Sequence, residues 1–212
     1  MSQTKETELC YFCEVGDKTG FDQAQAVEQH VQYEYRLPLS DEGARRGRVR
    51  VRKTTKSGED FFTETLKTPI DPTQSLGDIE DTVAITEAYF ENWKKTFLVD
   101  GQAKTRYTFI GKETKLTVDD QEVILPSLKF EVDVFLNPQG GRSQFAKVDI
   151  ELQDIIAYIK DQHKDIKTVK IKIDFSSLPL KIGRVIDAAT QDTEERAAIS
   201  NFFKVFSLPQ GR

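Results

Sequence analysis

Polar and apolar residues alternate along most of the chain, with a period of two. In residues 30–37, His30, Gln32, Glu34 and Arg36 fall on one face and Val31, Tyr33, Tyr35 and Leu37 on the other. That is the pattern of a strand with one buried side. Similar alternation predicts strands over 30–38, 46–55, 60–67, 95–100, 103–111, 113–119, 128–136, 143–152 and 167–175. Stretches rich in Gly, Asp and Asn separate many of them: SDEG, KSGED, VDGQ, VDDQ and NPQGG. These residues tolerate the backbone conformations of tight turns. Helical spacing appears in three places. Residues 78–93 put Ile79, Val83, Phe90 and Trp93 on roughly one side, 153–163 form a second helix, and 191–206 form a third with Asp192 or Thr193 as N-cap. Residues 1–28 have weak periodicity and read as an N-terminal extension, with a short helix at FDQAQAVEQ. No repeat or linker divides the rest, so 29–212 reads as a single α+β domain.

The polar faces of these strands are unusually charged. Arg46, Arg48, Arg50 and Arg52 oppose Gly47, Val49 and Val51; Thr63, Thr65 and Lys67 share a face, and so do Lys104, Arg106 and Thr108. Farther on, Lys129, Glu131 and Asp133 alternate with Phe130, Val132 and Val134, and Lys147, Asp149 and Glu151 with Val148, Ile150 and Leu152. A sheet that wets one face accounts for one or two such strands. Four arginines in a row repel one another unless anions or carboxylates face them. Basic and acidic strands together suit a barrel with a polar interior. Such an interior would take a polyphosphate, because Arg and Lys neutralise phosphate oxygens and carboxylates can hold a bridging divalent cation.

Charge and composition narrow the classes. The net charge is −5, although residues 45–53 alone hold six of the 30 Lys and Arg. An acidic chain is poorly suited to sequence-independent binding of double-stranded nucleic acid. No apolar run reaches the roughly 20 residues of a membrane span, and the first residues lack a signal-peptide pattern; a cytoplasmic protein is expected. Cys10 and Cys13 are the only cysteines. Two thiols are half a tetrahedral zinc site, and with no second pair they read as ordinary reduced side chains. His163 falls in a Lys- and Asp-rich helix and reads as a surface residue, whereas His30 shares the face of Glu34. Walker, G-x-S-x-G and H-E-x-x-H motifs are absent.

Six segments, in order, resemble the motifs of the CYTH family, the triphosphate tunnel metalloenzymes. YEYRLPL resembles its opening E-x-E-x-K strand, RVRVRK its R-x-R strand and FFTETLKTP the strand ending in a phosphate-binding lysine. KTRYTF resembles the K-x-R strand, FEVDVFL the W-E-I-D strand and VDIEL the late E-x-E-L strand. The resemblance spans about residues 30–152. It implies a closed eight-stranded antiparallel β-barrel, a triphosphate tunnel, with flanking helices. It implies phosphate contacts from Arg36, Arg50, Arg52, Lys67, Lys104 and Arg106. Glu34, Asp149 and Glu151 would hold Mg2+ or Mn2+, with Glu34 and Glu151 in the catalytic roles.

This chain departs from the pattern at Gln32, where the family has its first Glu, and at Asp149, which is shorter than the family's Glu. A neutral ligand in place of a carboxylate weakens a metal site. The resemblance therefore implies a metal-dependent hydrolase of inorganic triphosphate, a nucleoside triphosphate or thiamine triphosphate. Two alternatives on the same scaffold are a non-catalytic nucleotide or triphosphate-binding module, which Gln32 favours, and a class IV-type adenylate cyclase. The expected partner is a triphosphate-bearing small molecule or nucleotide.

Overall fold

The structure, a computed structural model, describes all residues except 1, 7, 17–18, 41–42, 44–45, 72–77, 98, 100, 119–120, 163–170 and 209–212. Twelve strands form one antiparallel sheet: β1 (Ser2–Glu6), β2 (Glu8–Val15), β3 (Ala26–Arg36), β4 (Arg48–Lys56), β5 (Glu59–Pro69), β6 (Asp78–Ala84), β7 (Gly101–Val118), β8 (Gln121–Leu136), β9 (Arg142–Glu151), β10 (Ile171–Ile173), β11 (Ile182–Asp187) and β12 (Ser207–Leu208). Three helices accompany it: α1 (Glu87–Phe97), α2 (Leu152–Gln162) and α3 (Thr193–Val205). The α+β class expected from the pattern is what forms.

The closed eight-stranded barrel is not. Ten strands make an open path, β1-β6-β5-β4-β3-β7-β8-β9-β2-β11, and β10 and β12 add to β7. The two ends of the path do not pair with each other: β1 bonds to β6, and β11 to β2. The sheet nevertheless curls strongly. Glu80 of β6 and Glu8 of β2, seven steps apart along that order, line the same cavity. The covalent chain spans the gap that the ladder leaves, because β1 ends at Glu6 and β2 begins at Glu8.

Several local expectations are corrected. The N-terminal segment supplies strands of this same sheet, and the short helix expected at 21–29 is a single 3-10 turn, Phe21–Gln23, followed by β3. Residues 78–84 form a strand, and only the second half of the expected helix is helical. The strand expected over 95–100 is, through Phe97, the end of α1. The two strands expected over 103–119 are one, β7. Its interruption is at Glu113, whose φ is 49°. The register, Lys112 to Ser127 and Thr114 to Leu125, sets Glu113 opposite Pro126, which has no N–H to give that rung. The expected strand at 167–175 is ordered as β10 over its centre, and 163–170, with His163, lie outside the described residues.

Packing follows the alternation. The apolar face of β3 and β4 offers Tyr33 and Val51, and α1 lays Phe90 and Trp93 on them. Thr86 caps that helix, its hydroxyl accepting from the Tyr89 N–H at 3.2 Å. The larger core lies farther along the sheet, where Phe109, Phe130, Val132, Val148 and Ile150 meet Ile155 and Ile159 of α2. Those two isoleucines are four apart, one face of a helix. Helix α3 differs, with no fully buried residue; its Asp192 cap accepts from the Glu195 N–H at 2.9 Å. Phe202 and Phe203 reach the charged side of the sheet and meet Phe12 and Phe135 edge to face.

Candidate anion-binding cavity

Strand registers gather the charged faces into one row after another. Gln32 stands beside Arg52, Glu34 beside Arg50, and Arg36 beside Arg48. Arg48 is in turn beside Lys67, and Lys67 beside Glu80. On the other side of β3, Gln32 meets Gln102 and His30 meets Lys104; Arg106 meets Asp133, and Asp133 meets Lys147. The even spacing read in the sequence thus becomes a continuous polar surface, and the curl wraps it round a cavity of about 520 Å³.

All six predicted phosphate contacts line this cavity: Arg36, Arg50, Arg52, Lys67, Lys104 and Arg106. Arg48 and Lys147 join them, making eight cations against four carboxylates, Glu8, Glu34, Glu80 and Asp149. Arg36 stands at the mouth, its side chain 86% exposed. Lys67 and Lys104 are each only 5% exposed. Phe135 and Phe203 form an apolar part of the wall.

Ion pairs distribute the charge unevenly. Behind the wall, Asp133 is fully buried and accepts from Lys104 and from Arg106, whose Nε and Nη2 lie 2.7 and 2.9 Å away. Although burial works against it, Lys104 and Arg106 hold the Asp133 carboxyl well below the usual carboxylate range. Lys147 lies 2.5 Å from Asp149, and Lys67 pairs with Glu80. Glu34 faces Arg48 at 3.2 Å, and Arg48 also holds Asp78 at 2.8 Å.

Arg52 is different: its Nε and Nη2 donate to Gln32 Oε1 at 3.2 and 3.0 Å, a neutral acceptor. Gln32 Nε2 donates onward to Gln102 Oε1 at 3.2 Å. Burial, with Arg50 and Arg106 adding repulsion, lowers the Arg52 guanidinium to about 9. Burial also lowers Lys104 to about 7 despite Asp133, with Arg106 and Arg52 contributing. In both, desolvation is the main cause and neighbouring cations add to it, whereas carboxylates hold Arg106 and Lys147 above their usual range.

Of the predicted metal ligands, Glu34 and Asp149 line this same cavity and Glu151 does not. Glu34 lies on β3 with Arg48, and Asp149 lies three strands away on β9 with Lys147. Glu151 ends β9 opposite Glu8 and is not among the side chains lining the cavity; it stands in the field of Lys129. Among the described residues no three His, Cys, Asp or Glu side chains are grouped as a metal ligand set. As placed, Glu34 and Asp149 are each held by a cation, Arg48 and Lys147, rather than grouped as a ligand set for Mg2+ or Mn2+.

The two cysteines sit three apart on a strand, so they point to opposite faces. Cys13 is in the core, Cys10 is beside Asp149, and burial raises each thiol to about 12. Among the described residues no helix is long and apolar enough to cross a membrane. A second cavity of about 540 Å³ lies between the far end of β7 and β11, with Lys115 and Lys172 against Glu122 and Asp174; it holds none of the predicted site residues.

Sequence reasoning missed Glu80 and Asp78, because 78–84 carries Ile79 and Val83 at helical spacing. The alternation of Asp78, Glu80 and Thr82 with Ile79, Asp81 and Val83 was the available signal. Arg48 and Lys147 were noted as charged face residues, but nothing in the pattern separated them from solvated neighbours.

No family model and no curated protein matches the chain. Among solved structures, the PH1819 protein of Pyrococcus horikoshii OT3 aligns over 78% of this chain and 93% of its own at 16% identity and a TM-score of 0.41. The hypothetical protein NE1496 aligns over 92% of this chain and 97% of its own at 15% identity and a TM-score of 0.39.

Proposed function

We propose that the cavity binds a triphosphate-bearing molecule, as the CYTH resemblance implied. The observation that carries this reading is the lining, eight cations against four carboxylates in about 520 Å³, within a chain of net charge −5. Asp78, Glu131 and Asp133 pair with Arg48, Arg106 and Lys104 from outside the lining, so the excess that remains is small and centres on Arg52, whose acceptor is neutral. A buried guanidinium without a counter-charge is costly unless an anion joins it. Phosphate oxygens suit it, since Arg offers a planar fork of donors and Lys a compact charge. Of the readings that the resemblance left open, the binding module is favoured, because Glu34 and Asp149, although in one cavity, are each engaged by a cation and Glu151 lies outside it.

Tripolyphosphate is expected to raise the melting temperature, as does any ligand that prefers the native state. The shift is expected to collapse in Arg50→Ala/Arg52→Ala. An equal shift in that variant would place the anion elsewhere and overturn the reading. Incubation with tripolyphosphate, ATP and thiamine triphosphate, with magnesium or manganese, checks turnover. Magnesium-dependent phosphate release, abolished by Glu34→Ala, would favour the hydrolase over the binding module.

A further inference from the structure

Gln32 occupies a position where a carboxylate would serve equally well sterically, and its contacts show what the neutral group does. Arginine has donors only, so the amide oxygen is fixed toward Arg52 and the amide nitrogen toward Gln102. The guanidinium is thereby oriented within the cavity without being neutralised. Its surroundings are mixed: Arg50 and Arg106 act against its charge from β4 and β7, and Asp133 and Glu131 of β8 act in its favour. Lys67 and Lys147, by contrast, each have a close carboxylate.

Resting on the triphosphate reading above, we infer that the cavity takes its polyphosphate as the free anion rather than as a metal complex, and that Gln32 is the positioning residue that keeps Arg52 unneutralised for it. A bridging cation is needed where carboxylates and phosphates face each other. Here Glu34 and Asp149 already face Arg48 and Lys147, so a phosphate chain meets Arg52 without an intervening ion.

The test is calorimetric titration of the full chain with sodium tripolyphosphate, once in EDTA and once in excess magnesium. Affinity in EDTA is expected to equal or exceed that in magnesium, which complexes the ligand. Loss of binding in EDTA, or tightening by about tenfold or more in magnesium, about 1.4 kcal/mol, would overturn the inference while leaving the cavity's role as a phosphate site intact. Gln32→Glu places a carboxylate against Arg52; it is expected to weaken binding by about tenfold or more and to raise the melting temperature of the ligand-free protein. Tighter, magnesium-dependent binding in that variant would overturn the inference. Gln32→Leu, which keeps the volume and removes the orienting oxygen, is expected to weaken binding without the rise in ligand-free stability. No binding to wild type in either buffer would bring down both the triphosphate reading and this one. Should Gln32→Glu not fold, the comparison of buffers on the wild type decides.

Discussion

His30 is only 2% exposed, with Nε2 3.2 Å from a Glu28 oxygen and Nδ1 lacking a hydrogen-bond partner among the described residues. Burial, then Arg52, Lys104 and Arg106, lowers it from 6.5 to about 4, so the ring is neutral in the folded protein at neutral pH. The unfolded chain therefore binds a proton that the folded one refuses between those values. The contribution of His30 is fully present above pH 6.5 and is lost as pH falls toward 4. Its size is at most about 3 kcal/mol. Urea unfolding at pH 7 and pH 5 is expected to show wild type losing more stability than His30→Gln over that interval. Equal losses would mean that the ring is not held neutral. The cations that shift His30 are those of the cavity, so a bound polyanion is expected to move its titration upward.

At the scale of elements, period-two alternation placed the cavity face of β3, β4, β5, β7 and β9 correctly, because side chains of a strand alternate whatever its partners. It failed where two periods compete. Ile79 and Val83 satisfy a helix, yet β6 forms because both its edges find partners, β1 and β5. Partners that far apart in sequence leave no local signal. The same limit hid the open ends of the sheet, since alternation says which face a residue takes but not which strands close a ring.

Two elements carry predictions. Trp93 is 5% exposed and anchors α1 on Tyr33 and Val51, so Trp93→Ala is expected to destabilise by about 3–5 kcal/mol in urea titration. Gly47 leads into β4 with φ 103°, and a Cβ there would lie 2.2 Å from the Lys67 carbonyl oxygen. Gly47→Ala is expected to cost about 1–2 kcal/mol for the left-handed backbone alone. It is also expected to weaken tripolyphosphate binding by displacing Arg48 against Lys67, which calorimetry would read. Unchanged affinity would show that the turn is independent of the cavity.

The whole molecule separates its charge: acidic in total, cationic where the sheet curls. Low-dielectric walls focus such a field and draw anions inward while the acidic exterior keeps them from binding broadly. Assembly of this surface depends on β2, whose Glu8 lines the cavity, and that sets an order in time. Strand β2 has its partners in β9 and β11, with Glu8 beside Glu151 and Tyr11 beside Asp187. β3, β4 and β5 are neighbours in sequence and pair as successive hairpins. Local pairings form fast, and pairings that close long loops form late. During synthesis residues 8–15 emerge well before β9 and β11 and remain without those partners until residues 142–187 have been made. In pulsed hydrogen-exchange labelling of the refolding chain, amides of Arg48–Lys56 are expected to gain protection before those of Glu8–Val15. A strand made long before its partners is thus among the last to be placed, so a chaperone that shields an emerging β-strand would find its need here, in a segment whose own sequence gives no warning of the wait.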